Sequence, residues 1–269
     1  MPELPEVETL VSTLRPLLLG RSILSAELCW RKSLATPSPG RFTHRLTGQG
    51  IADVSRRGKF FLLQLTTGYL LIHLRMSGDL QVFPGEPLPG KHDRLLIHFS
   101  DNTTLVFTDP RKFGRIWLVN DPQEILSGLG PEPLSDEFTP AWLFQELQRR
   151  HRQLKPLLLD QGFIAGLGNI YTDEALHAAK LHPLTVSAAI SEAQARQLWQ
   201  SIRQTLQEGI RRNGSSIDWV YRGGEFQNHF SVYGRQGQAC PVCGVEVQRI
   251  LVGQRGTHFC PSCQKIQYN

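Results

Sequence analysis

The sequence predicts an α+β chain of several domains: an N-terminal helix plus an antiparallel β-sandwich, then a helical region, then a small cysteine-bearing hairpin. Three observations predict it. Short apolar runs separated by turn residues fill positions 60–108. Helix-period patterns occupy residues 4–18 and recur after residue 140. Four cysteines near the end stand as Cys240-Pro-Val-Cys243 and Cys260-Pro-Ser-Cys263, with sixteen residues between the pairs. The 269 residues are 40% hydrophobic and 20% charged, which gives room for real cores and excludes wholesale disorder.

Taken in order, Val7, Leu10, Val11, Leu14, Leu17 and Leu18 mark the first helix, closed by Gly20. The strands are Phe60–Leu65, Tyr69–Leu74, Leu95–Phe99 and Thr104–Thr108, punctuated by Thr67-Gly68 and Asp101-Asn102. Residues 120–139, rich in Pro, Gly and acid, predict a linker between a domain at 1–119 and a helical domain at 140–228. In the latter, Thr139-Pro140 forms an N-cap and N1 pair. Ser191 and Gln194 form a capping box that opens a long helix with Ala195, Leu198, Trp199, Ile202, Leu206 and Ile210 on one face, ending at Asn213-Gly214. Residues 229–269 are expected to be a zinc finger held by Cys240, Cys243, Cys260 and Cys263. Two disulfides are the alternative, which a long chain without an export signal disfavours. Cys29 is expected to be a buried apolar residue.

Charge narrows the partner. Residues 1–139 hold 15 basic and 15 acidic side chains, and residues 140–269 hold 14 and 9, so the whole net charge of +5 lies in the second half. That asymmetry suits a polyanion, although ordinary solubility charge would look the same. No apolar run reaches membrane-spanning length, and the acidic start lacks the basic region of a secretory signal. The expectation is a cytoplasmic, nucleoid-associated bacterial monomer with no membrane partner.

Chemistry concentrates at the start. Removal of Met1 would leave Pro2 as a secondary amine, with a pKa of about 8 before the helix dipole lowers it. Such an amine attacks aldehyde-like carbons. Glu3 and Glu6, three residues apart, share a helix face and could work as acid and base. Taken alone, the same residues equally complement a helix dipole, and that plainer account prevails without context.

Context comes from motifs in collinear order. Met1 through Thr9, Thr108-Asp109-Pro110-Arg111-Lys112-Phe113-Gly114, Gly130 through Asp136, Gly166-Leu167-Gly168-Asn169-Ile170-Tyr171 and the cysteine pairs resemble the formamidopyrimidine-DNA glycosylase family over nearly the full length. The resemblance implies a helix-two-turn-helix domain followed by a β-hairpin zinc finger with one structural zinc. It implies excision of oxidised purines (8-oxoguanine and formamidopyrimidines) from double-stranded DNA, with β,δ-elimination at abasic sites. By resemblance, Pro2 is the nucleophile and Glu3 the acid/base, supported by Glu6. Lys59 is a proton donor beside the lesion, and Arg255 is a phosphate contact that assists δ-elimination. His92, Arg111, Arg150, Lys155, Asn169 and Tyr233 are DNA contacts. Met76, Arg111 and Phe113 fill the gap left by a flipped base, although Met76 and Phe113 could instead be core. An endonuclease VIII-like preference for oxidised pyrimidines and a non-catalytic, zinc-containing damaged-DNA binder are the alternatives. The family's lesion-recognition loop, here within Asn213–Gln227 and centred on Arg222–Gln227, is several residues shorter than in its best-known members.

Overall fold

A computed structural model of the chain describes residues 1–216 and 223–266. The chain forms two compact units, Met1–Ser127 with Gly214–Gly224, and Gly128–Asn213 with Glu225–Asn269. No helix among the described residues is long and apolar enough to cross a membrane.

The first unit opens with α1 (Leu4–Leu18), as the apolar period requires, with Pro5 in its first turn. Leu17 departs from expectation: it is exposed, because Leu14 and Leu18 already occupy the core-facing stripe. Two sheets follow. One takes β1 (Ile23–Glu27), β7 (Asp93–Phe99), β8 (Thr103–Thr108) and β6 (Asp79–Pro84), in the spatial order β1-β7-β8-β6. The other takes β2 (Leu34–Thr36), β9 (Arg115–Val119), β5 (Tyr69–His73), β4 (Phe60–Leu65) and β3 (Ile51–Arg57), in the order β2-β9-β5-β4-β3. All pairings are antiparallel except the short edge pair β2 and β9. A short helix, α2 (Pro39–Leu46), closes on β1.

Both sheets and α1 bury their apolar faces in one core. Val7, Leu10 and Leu14 of α1 pack in the same cluster as Phe61, Leu63 and Ile72 of one sheet and Leu95, Ile97 and Phe107 of the other. Turn chemistry sets the strand register. Gly68 takes φ +80° in the β4–β5 turn, where a Cβ would lie 2.4 Å from the Val119 carbonyl oxygen, so only glycine fits.

The second unit is helical. After α3 (Gln123–Leu126), which belongs to the first unit, come α4 (Pro140–Gln148), α5 (Leu154–Leu159), α6 (Asn169–Ala178) and α7 (Glu192–Arg211). The Thr139 hydroxyl caps α4 by accepting the Trp142 N–H at 3.1 Å, and Ser191 with Gln194 forms the capping box of α7. The stretch before α4 is packed structure rather than a loose tether. Phe138 is buried, its carbonyl accepts the Trp199 indole N–H, and Arg203 donates to the carbonyls of Pro133 and Ser135. The unit ends in a hairpin of β10 (Gln248–Val252) and β11 (Arg255–Phe259).

Ser201 and Gly209 join Ala195, Leu198, Ile202 and Leu206 on the buried face of α7. Gly209 is there because a side chain would collide with the buried Tyr171 of α6, a Cβ falling 2.4 Å from its ring. Gly209→Ala gains helix propensity but overpacks this contact. We expect a net loss of about 1–3 kcal/mol, read as a lower urea midpoint at unchanged slope.

Candidate active site and metal centre

The N-terminus is anchored. Pro2 and Glu3 are buried, unlike ordinary chain ends. Glu3 is the N-cap of α1, and its backbone N–H donates to Glu6 Oε2 at 2.8 Å. The other Glu6 oxygen accepts both the backbone N–H of Ser215 (2.8 Å) and its hydroxyl (3.1 Å). Glu6 therefore does more than supply a second carboxylate. It ties the helix start to Ser215, and a Cβ on the neighbouring Gly214 would sit 2.7 Å from its oxygen. Residues 217–222, including Arg222 of the expected recognition loop, lie outside the described residues.

Lys59 occupies the two-residue turn between β3 and β4, with Gly58 at φ +56°, and it is buried. Near it is His73 of β5, to which sequence reasoning assigned no role. Burial first, then the Arg75 and Lys59 cations, pull its pKa from 6.5 down to about 3. The ring is neutral at working pH, and its Nδ1 accepts the Arg75 N–H at 3.0 Å. Because the folded value lies below the unfolded one, the associated stability is fully present above pH 6.5. It is lost as pH falls toward 3, at about 1.4 kcal/mol per unit. His73→Gln should flatten that acid slope, measured as urea midpoints at pH 7 and pH 4.5.

Met76 and Phe113 are solvent-exposed at 38% and 49%, so neither belongs to the core. The Arg111 guanidinium lies 5.0 Å from the centre of the Phe113 ring. His92 is exposed, and its carbonyl accepts the Asp109 N–H at 2.8 Å.

In the second unit, Asn169 is the first residue of α6, behind Gly168 as N-cap. Its amide donates to the Gly256 carbonyl of the hairpin at 2.9 Å, and its Oδ1 is buried with no hydrogen-bond partner among the described residues. Arg255 is exposed beside the Gly253-Gln254 turn, where both residues take positive φ. Tyr233 packs edge-on against Phe230 and His258. Arg150 pairs with Glu146 and stacks over Phe163 at 5.0 Å, leaving its side chain partly exposed.

Lys155 corrects an expectation. The resemblance implies a DNA contact at Lys155, yet its side chain is fully buried in an ion pair with Asp173, and its ammonium also donates to the Asn169 carbonyl at 3.1 Å. Asp173 in turn accepts the His258 backbone N–H at 2.9 Å. Lys155 thus joins α5, α6 and the hairpin from within, because a buried cation must be paired. Sequence reasoning also passed over Glu174, whose carboxylate accepts the N–H groups of Ser231, Val232 and Tyr233. An adjacent acid pair between Ile170 and Leu176 of α6 was the available signal.

The four cysteine sulfurs of the hairpin region lie within 4.8 Å of one another, unlinked by disulfides. Sulfur separations of 3.4 Å (Cys243–Cys260) and 3.9 Å (Cys240–Cys263) match the edge of about 3.8 Å in a tetrahedron with 2.3 Å zinc–sulfur bonds. His177 Nε2 lies 3.4 Å from the Cys240 sulfur, and burial lowers its pKa, so a neutral ring can donate there. The four thiolates hold one structural zinc. Among the described residues the apolar cluster around them is Val232, Val247 and the cysteines, so the metal supplies much of the local folding energy. Cys29, expected to be buried, is half-buried instead, with its thiol pushed up to about 11. Metal analysis should find one zinc per chain. Its removal by a chelator should abolish DNA retention by the second unit while leaving the sandwich melting transition in place.

Comparison with known proteins agrees with this geometry. Residues 1–116 match the formamidopyrimidine-DNA glycosylase N-terminal domain, residues 129–220 its H2TH domain, and residues 237–266 the zinc finger found in FPG and IleRS. A formamidopyrimidine-DNA glycosylase of Chloroflexus aurantiacus is 46% identical over 98% of both chains. Two solved structures of the Lactococcus lactis protein align over 98% of this chain with a TM-score of 0.92. One is a mutant with Fapy-dG containing DNA (38% identical, 100% of that chain), and the other has abasic site containing DNA (37%, 99% of that chain). The chain belongs to the formamidopyrimidine-DNA glycosylase family.

Proposed function

We propose that this chain is a bifunctional base-excision repair enzyme that removes oxidised purines from duplex DNA and then cleaves the abasic strand. The observation that carries the reading is the burial of Pro2 and Glu3 at the N-terminus of α1. A chain start held this way, with the helix dipole disfavouring a protonated amine, is arranged for chemistry rather than left to fray.

With Met1 removed, the Pro2 nitrogen attacks C1′ of the damaged nucleotide. The glycosidic bond breaks, and the base leaves with that electron pair and a proton from the acid. The amine then loses its proton, its lone pair expels O4′, which takes up a proton as the ring opens, and the sugar is left as an iminium on Pro2, a fixed cation that acidifies the C2′ hydrogen. Removal of that proton expels the 3′ phosphate, and a second elimination expels the 5′ phosphate. Glu3 exchanges protons with the sugar, and Lys59 donates beside the lesion. Arg255 holds the flanking phosphates, with Asn169, Tyr233, Arg150, Arg111 and His92 as further backbone or orphan-base contacts. Met76, Arg111 and Phe113 occupy the vacated stack. The functional domains are 1–119, 140–228 and 229–269, and the enzyme acts as a monomer in the bacterial cytoplasm.

Borohydride should trap the protein on an 8-oxoguanine:C duplex through Pro2, as peptide mapping would show. Pro2→Gly should abolish trapping, and Glu3→Gln should slow it by about 10²–10⁴. Trapping that survives Pro2→Gly undiminished rules out the nucleophile. Faster cleavage of thymine glycol than of 8-oxoguanine would move the enzyme to the pyrimidine class. Arg255→Ala should weaken binding to all sequences and reduce the slope of log K against log salt by about one.

A further inference from the structure

Two loops of the first unit carry the exposed tip residues. Residues 74–78 join β5 to β6 and bear Met76. Residues 109–114 join β8 to β9 and bear Arg111 and Phe113. Each tip contains a non-glycine residue in the left-handed region, Arg75 at φ +56° and Lys112 at φ +62°. Such backbone persists only where the surroundings over-determine it.

The surroundings converge on Asp109, which is fully buried. Its Oδ1 accepts the Ser77 hydroxyl from the first loop and the Arg111 N–H (3.2 Å) from the second. Its Oδ2 accepts the Gly114 N–H at 2.7 Å. The Ser77 oxygen also accepts the Arg111 N–H at 3.2 Å, closing a three-membered network across the loops. The Asp109 backbone is held as firmly. Its N–H donates to the His92 carbonyl, and its carbonyl accepts Arg94 Nε at 2.8 Å and the Lys112 N–H at 3.2 Å. Beneath the network lies the Phe107 ring, only 2.9 Å from where a Cβ on Gly78 would stand and 2.5 Å from where one on Gly114 would. At the flank the Lys112 ammonium sits 4.1 Å from the Trp30 ring centre.

We propose that Asp109 is a positioning residue for base flipping, deepening the glycosylase reading on which it rests. Its carboxylate locks the Met76 loop to the Arg111–Phe113 loop before DNA arrives. The three side chains then enter the duplex as one preformed body, with Arg111 already stacked on Phe113. Being buried, Asp109 touches no substrate. It acts by removing the ordering cost that two independent loops would meet on insertion.

The test uses two variants. Asp109→Asn preserves volume but turns one acceptor oxygen into a donor, so one of the facing N–H or O–H groups loses its partner. Ser77→Ala deletes the side chain that bridges the loops. Single-turnover excision is measured on an 8-oxoguanine:C duplex with 2-aminopurine beside the lesion, and borohydride trapping on a single-stranded abasic oligonucleotide, which has no paired base to displace. Both variants should lower the ratio of duplex to single-strand rate about tenfold or more, with a matching delay in the 2-aminopurine signal. An unchanged ratio, whether both rates hold or both fall together, overturns the proposal. If Asp109→Asn fails to fold, Ser77→Ala decides by the same ratio. Wild-type protein that traps on neither substrate overturns the glycosylase reading itself, an outcome distinct from a normal wild type with an unchanged variant ratio.

Discussion

The Glu6 carboxylate, only 2% exposed, is the tie on which the placing of the first unit's helix start depends. One oxygen holds the Glu3 N–H, and the other holds the backbone and hydroxyl of Ser215, more than two hundred residues away in sequence. A carboxylate taken out of water must be fully hydrogen-bonded, or its desolvation would cost several kcal/mol. That requirement makes the arrangement specific. The helix start cannot fray without stranding Glu6, and Ser215 cannot swing away without the same cost. Gly214 supplies the room, since any Cβ there would overlap the Glu6 side chain.

Regular elements were legible in the sequence because periodicity and caps are local. The α1 pattern, the Ser191-Gln194 box and the hairpin turns at Gly68 and Asn102 each fall within a few residues of the text, and the structure repeats them. The four cysteines were legible because ligand spacing is local too. The short edge strands β1 and β2 and the helix α2 were not, since their few apolar residues show no period and their form is imposed by packing. The buried polar hubs were legible only as letters. Asp109 stood inside a recognised motif without a role, and His73, Asp173 and Glu174 drew no attention, because each gains meaning from partners far along the chain.

Lys155 shows the cost of carrying a role by resemblance of single residues. The basic excess of the second half suggested that its cations face a polyanion, but charge counts cannot separate surface cations from paired interior ones. Lys155 is spent internally on Asp173, where it fixes the α6 start and the His258 strand. It still shapes the hairpin, at one remove. The Asn169 amide that reaches Gly256 and the Arg255 tip one residue earlier are both held in register by this pair. Replacing the pair with apolar groups could keep the fold, whereas breaking it one-sidedly would leave a charge stranded.

A common design joins these cases. In each place backbone N–H groups are left unpaired by ladder or helix, and a buried acid accepts them. Asp109 does so for the Arg111 loop, Glu174 for the Tyr233 loop, Asp173 for His258 of the hairpin, and Glu6 for Ser215. Burial pushes the Glu174 carboxyl up while the three N–H donors pull it down, and burial prevails, so the donors offset only part of the desolvation. A hydrophobic core could not do this work, because apolar contacts are non-directional and leave loop conformation loose. Hydrogen bonds from a fixed acid set direction as well as distance. The acids therefore trade stability for geometry, which is the exchange a site needs when its reagents are turn residues rather than strand or helix residues.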